Sequence, residues 1–176
     1  MRDALTLLPT SARPSARLAF TAHSVPLSMA ENCRYEEQLL EASRLVAESL
    51  GVSRDRWQLV YQSRSGPPSQ PWLAPDIVEH LHVLKRDGVT DVVVVPIGFI
   101  SDHVEVLYDL DTEARDAAEQ LGLNMFRAQT LGTHPRFVKM VRELVVERMT
   151  GVVERPAVGK YIASHDECPV DCCLKL

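Results

Sequence analysis

Apolar residues follow two alternating rhythms along this chain. Residues 17–22 (RLAFTA), 57–63 (WQLVYQS) and 90–96 (TDVVVVP) are short runs that predict buried strands. The third is apolar on both faces, which predicts a central parallel strand. Between them the spacing becomes helical. Residues 35–50 carry Leu39, Ala42, Leu45, Val46 and Leu50, with Gly51 as the stop. Residues 76–86 carry Ile77, Val78, Leu81 and Leu84, and Gly88 ends them. Residues 102–121 carry Leu107, Leu110, Ala114, Ala118 and Leu121, ended by Gly122. A weaker strand at 124–129 and an amphipathic helix at 135–149 complete the pattern.

The order β-α-β-α-β-α-β-α predicts an α/β fold, a three-layer parallel sheet with helices on both faces. Prolines break up the start, so residues 1–16 are expected to be a helical turn and linker. Residues 17–152 are expected to form one α/β domain and residues 153–176 a cysteine-bearing tail without periodicity. Residues 64–75, with Gly66 and four prolines, predict a loop. Ligands in such folds bind beyond the carboxyl ends of the strands. His23, the 62–72 loop and the 98–105 segment all fall there.

Composition narrows the class. A chain of 176 residues fits one domain, and a net charge of −5 gives no basic field for nucleic acid. No apolar run approaches the ~20 residues of a membrane span, and no signal-peptide core precedes a cleavage site. These features predict a cytoplasmic protein with at most peripheral membrane contact.

The chemistry-bearing residues concentrate in residues 99–113, which hold His103 with Asp102, Glu105, Asp109, Asp111 and Glu113. Glu105, Asp109 and Glu113 are spaced i, i+4, i+8, so a regular helix lines them along one face. The row is either a relay for cations or protons, or a solvated acidic face near a helix N-terminus. His23, in Thr21-Ala22-His23-Ser24-Val25-Pro26, is either a metal- or proton-binding imidazole or a hydrogen-bonded histidine closing a strand. Trp72 either stacks on a flat aromatic ligand or anchors its loop. His80 and His82, two residues apart, cannot face one metal from a helix. Cys168, Cys172 and Cys173 crowd the C-terminus, either as free thiols or as ligands of zinc or an iron–sulfur cluster; Cys33 is the only other cysteine.

Several stretches resemble the ferrochelatase family, in family order: Phe20 through Pro26, Trp57 through Gly66, Pro71-Trp72-Leu73, Pro96 through Phe99, Ser101 through Glu105, Leu107-Tyr108-Asp109, and His134 through Val138. The resemblance covers roughly residues 5 to 150 and matches the family's C-terminal half. It implies a single chelatase-like domain that inserts ferrous iron into protoporphyrin IX or coproporphyrin III for haem synthesis. By the same resemblance His23 and Glu105 are catalytic and bind the metal, and Asp109 and Glu113 extend the metal path. Asp102 and His103 belong to a hydrogen-bonded shell around Glu105, and Gln62, Ser63 and Trp72 line the porphyrin cleft. The tail resembles the ends of members that hold a 2Fe-2S cluster, which makes Cys168, Cys172, Cys173 and Cys33 its expected ligands. Fe(2+) is the substrate metal and a porphyrin the organic partner.

Family members run about twice this length, with the porphyrin between two similar domains. This chain is therefore expected to be a fragment, one half of a split enzyme, or a protomer whose homodimer rebuilds the cleft. Two rival functions accompany that picture: a porphyrin- or haem-binding half-domain without turnover, and a half-size chelatase for another tetrapyrrole.

Overall fold

The computed structural model describes residues 2–151, 155–168 and 170. Four strands form one sheet in the order β2-β1-β3-β4: β1 (Arg17–His23), β2 (Trp57–Gln62), β3 (Asp91–Val95) and β4 (Asn124–Arg127). All neighbours pair in parallel. Residues alternate between the two faces of a strand, and both faces here are apolar. Phe20 and Ala22 of β1 join one buried cluster, and Ala19 joins the other.

The first cluster lies under α1 (Arg2–Leu7) and α3 (Tyr35–Ser49), which contribute Ala4, Leu39 and Ala47. A short α2 (Leu27–Ala30) follows the β1 loop. Segment 1–16 contributes more than a linker would. Ala4, Leu8 and Ala16 are buried in the core, a pairing hidden in the sequence by Pro9 and Pro14. The second cluster lies under α4 (Ile77–Arg86), α5 (Val104–Tyr108) and α6 (Ala114–Leu121). Asp76 caps α4 by accepting from the Val78 N–H at 2.8 Å, and Glu79 returns to the Asp76 N–H. These two helical layers enclose the sheet, so the α/β architecture follows the alternation of the sequence.

The expected single helix over 102–121 is three pieces. His103 stands at the N-terminal cap of α5, and residues Asp109–Glu113 form a π-helical turn before α6. The buried stripe is Val106, Leu110, Ala114 and Ala118, while Leu107 is 43% exposed. Positions four apart drift about 40° per step on a regular helix of 3.6 residues per turn. The wider π turn removes part of that drift. Strict four-residue spacing therefore stays on the sheet.

The last helix, α7 (Pro135–Thr150), buries no residue. His134 accepts from the Arg136 N–H at 3.2 Å and so starts it. After α7 the chain returns to α3. The Lys160 N–H donates to Glu41 Oε1 at 2.7 Å, and the Tyr161 hydroxyl donates to Glu37 at 3.2 Å. Arg44 also donates to both oxygens of Glu41, which holds that carboxyl down at about 2. No helix among the described residues is long and apolar enough to cross a membrane.

The chain reverses direction at the sheet centre. It moves outward from β1 to β2, then crosses back to β3 on the other side of β1. The carboxyl ends of β1 and β3 therefore flank a crevice. There the backbone after β3 lies directly on β1: the Gly98 N–H donates to the Thr21 carbonyl at 3.0 Å. A Cβ at Gly98 would stand 2.7 Å from Ala22 Cβ and 2.9 Å from its Cα. Gly98→Ala is expected to destabilise the fold by about 1–3 kcal/mol, because one wall of the clash is backbone. Urea denaturation checks this, and an unchanged midpoint contradicts the close approach.

Candidate active site

His23 is the last residue of β1, and Glu105 lies in the first turn of α5 after the β3 crossover. Eighty-two positions apart in sequence, they meet across the crevice with His23 Nε2 3.5 Å from Glu105 Oε1. Their side chains remain 37% and 43% exposed, so the pair is open to an incoming molecule. The other ring nitrogen, Nδ1, sits 2.5 Å from the Ser24 carbonyl oxygen. A carbonyl can only accept, so Nδ1 carries a proton and Nε2 is the ring nitrogen that faces Glu105.

The loop behind His23 is stitched in place. The Ser24 N–H donates to the Gln62 carbonyl, the Ser24 hydroxyl to the Leu73 carbonyl, and the Leu73 N–H to the Val25 carbonyl. The Tyr35 hydroxyl donates to the His23 carbonyl at 2.9 Å, and burial raises that phenol above its usual value and keeps it a donor. Nε2 and the facing carboxylate oxygen can share a proton or a cation between them. With donor–metal distances of about 2.1 Å, donors 3.5 Å apart subtend an angle of roughly 110° at one shared ion.

A second contact lies one turn along. Gln62, the register partner of His23, donates its Nε2 to Asp109 Oδ2 at 3.2 Å. The Ser63 hydroxyl donates to the same oxygen. Of the acidic row, Glu105 and Asp109 are half-buried, and Glu113 is exposed beyond them. Asp102 turns toward β4 instead of Glu105: Arg127 reaches both its oxygens at 3.2 Å and both oxygens of Asp111 at 2.7 and 2.8 Å. His103 packs edge-on against Phe99, with ring centroids 5.5 Å apart.

Trp72 pairs with Pro26 through an isolated β-bridge, and its ring fills the space over Gly66. Its indole N–H is buried with no protein partner. The ring borders a cavity of about 300 Å3 lined by Ser24, Arg64, Leu73 and Asp76. Arg64 itself donates to the carbonyls of Pro67, Pro68 and Gln70 and so holds its own loop.

Cys33 and Cys168 are free and exposed. Cys172 and Cys173 lie outside the described residues. Among the described residues, no three His, Cys, Asp or Glu side chains come together to hold a metal ion. The described part of the tail therefore builds no cluster site by itself.

The ferrochelatase family model matches residues 1–149. The chain belongs to the ferrochelatase family. It is 51% identical over 159 residues to a ferrochelatase of Rhodopirellula baltica, covering 90% of this chain and 45% of that protein. It is 48% identical to a coproporphyrin III ferrochelatase of Streptomyces griseus, covering 94% and 49%. Among solved structures, a putative cobalamin (vitamin B12) biosynthesis CbiX protein from Marinobacter aquaeolei VT8 shares the fold. Its TM-score is 0.54 at 20% identity, covering 78% of this chain and 99% of that one. The chain spans about half the length of the curated ferrochelatases it matches.

Sequence reasoning missed several residues of this ferrochelatase-family site. Gly98, Tyr35 and Ser24 act through backbone contacts that no side-chain pattern announces. Arg127 had one visible signal, a lone basic residue at a strand's carboxyl end.

Burial opposes charge on Asp111, and the Arg127 guanidinium overrides it, so the carboxyl sits below its ordinary value. A depressed carboxylate stabilises the fold above its unfolded pKa and loses that contribution as pH falls. Arg127→Met is expected to cost about 1–3 kcal/mol near neutrality and to flatten the fall in stability below about pH 4. Urea midpoints from pH 7 to 3 check it. Parallel curves for the two proteins contradict it.

Proposed function

We propose that this chain carries the metal-exchange site of a ferrochelatase, inserting ferrous iron into a porphyrin. The carrying observation is the Nε2-to-Oε1 approach of His23 and Glu105, with the ring proton parked on Nδ1. Insertion exchanges one Fe(2+) for two pyrrole protons, so charge balances only if bases remove both. His23 Nε2 accepts the two pyrrole protons one at a time and passes each to Glu105 and the carboxylates beyond it, which frees the Nε2 lone pair again. The same two donors replace waters on the hydrated ion, and the porphyrin nitrogens complete its coordination. Asp109 and Glu113, next along the helix, offer the following acceptors toward solvent.

Relatives named coproporphyrin III ferrochelatase, 40–48% identical, favour coproporphyrin III over protoporphyrin IX as the substrate. Trp72, with its unpartnered N–H, supports a porphyrin edge resting on the loop of residues 62–73. The second wall of the cleft comes from a further stretch of the same protein, from a separate half-length polypeptide or from a second copy of the chain. That reading rests on the chain's half-length coverage of its relatives. The same coverage favours one second reading, a half-domain that binds porphyrin without turnover.

Anaerobic insertion assays with both porphyrins separate the two readings. Wild-type chain is expected to insert iron, and His23→Ala and Glu105→Gln are each expected to lose at least tenfold in rate while keeping porphyrin binding. A loss of that size corresponds to about 1.4 kcal/mol or more of transition-state stabilisation. Binding without turnover by the wild type sinks the enzymatic reading. The spacing of Cys168, Cys172 and Cys173 supports a 2Fe-2S cluster in the tail. Anaerobically purified protein is then expected to be brown with acid-labile sulfide, and a colourless preparation removes the cluster.

A further inference from the structure

Ser63 is the one described residue other than glycine with a positive φ, at 63°. Serine has no intrinsic preference for this left-handed region, and its Cβ makes the conformation unfavourable. Such an outlier persists only where its surroundings impose it. The hydrogen bonds explain what it achieves. Consecutive residues of an extended strand point to opposite faces of the sheet. Gln62 points toward α5 and the π turn, so a Ser63 in regular strand geometry would point away from them. The left-handed backbone swings Ser63 back, and the two neighbouring side chains converge on one oxygen, Oδ2 of Asp109.

Asp109 is the first residue of the π turn, and Glu105 stands one helical turn before it. On the sheet, His23 and Gln62 are register partners. Five residues form a frame: His23 faces Glu105, and Gln62 with Ser63 clamps Asp109. Gln62 is 1% exposed and its Oε1 has no protein partner, so its amide is spent on Asp109 alone. We infer that Ser63 is a positioning residue, whose strained backbone aims its hydroxyl at Asp109 and thereby sets the registry of Glu105 opposite His23. Its part in turnover rests on the iron-insertion reading above; its coupling to Asp109 does not.

Glycine at position 63 relieves the backbone and removes the hydroxyl, whereas alanine removes the hydroxyl and keeps the strain. A thermal double-mutant cycle of Ser63→Gly against Asp109→Ala tests the coupling without any assay of insertion. Ser63→Gly is expected to raise the melting temperature by about 2–4 °C more in the Asp109→Ala background than in the wild type. Equal shifts in both backgrounds overturn the inference. In iron insertion, Ser63→Gly is expected to lose about tenfold in kcat with KM for porphyrin unchanged and no loss of melting temperature. Ser63→Asn, which tolerates the left-handed backbone and restores a donor, is expected to recover most of that loss. Full activity in Ser63→Gly overturns the positioning role. Wild-type chain that inserts no iron removes the insertion reading, and the thermal cycle still decides whether Ser63 is coupled to Asp109.

Discussion

The crossing of two backbones at Gly98 is the constraint from which the rest of the site follows. The chain leaves β3, lies against Ala22 of β1 at a separation only glycine permits, and donates to the Thr21 carbonyl. That contact fixes where the following loop can go and therefore where α5 begins. His23 closes β1 one residue past Ala22. Glu105, on the first turn of α5, is consequently delivered to the imidazole. The central strands supply the rigidity, since Val92, Val93 and Val94 are wholly buried and the sheet is packed on both faces.

Polar contacts then tether the helical layer over the crevice from two sides. On one side Gln62 and Ser63 hold Asp109. On the other, Arg127 bridges Asp102 and Asp111. The π turn lies between these anchors. Its wider turn keeps residues four apart aligned on both its faces, apolar toward the sheet and acidic toward the crevice. Positions 106, 110, 114 and 118 and positions 105, 109 and 113 are thus two readings of one geometric fact. Half-buried charges held this way are costly to leave unpaired, which restrains the loop that carries His103 and Glu105.

Much of the fold was legible because parallel strands buried on both faces read as continuous apolar runs, and glycines marked helix ends such as Gly122. The place of the site was legible for the same reason, since strand order puts ligands at carboxyl ends. The meeting of His23 and Glu105 was not contained in spacing and came from the family resemblance. Ser63 was read as lining a cleft, and nothing in a serine foretells a positive φ. The π turn was invisible because four-residue spacing fits a regular helix nearly as well. Arg127 finds its partners 16 and 25 positions away, beyond any local pattern. Helix α7 read as amphipathic, yet none of its residues is buried among the described residues.

The approach of His23 Nε2 to Glu105 Oε1 is the observation on which the proposed function rests. A nitrogen-15 spectrum of the His23 imidazole during titration with zinc, a diamagnetic stand-in for ferrous iron, reads that geometry directly. The expected result is a shift at Nε2 alone, with Nδ1 still protonated on the Ser24 carbonyl, and its loss in Glu105→Gln. Metal binding through Nδ1, or a ring that ignores the metal, contradicts it.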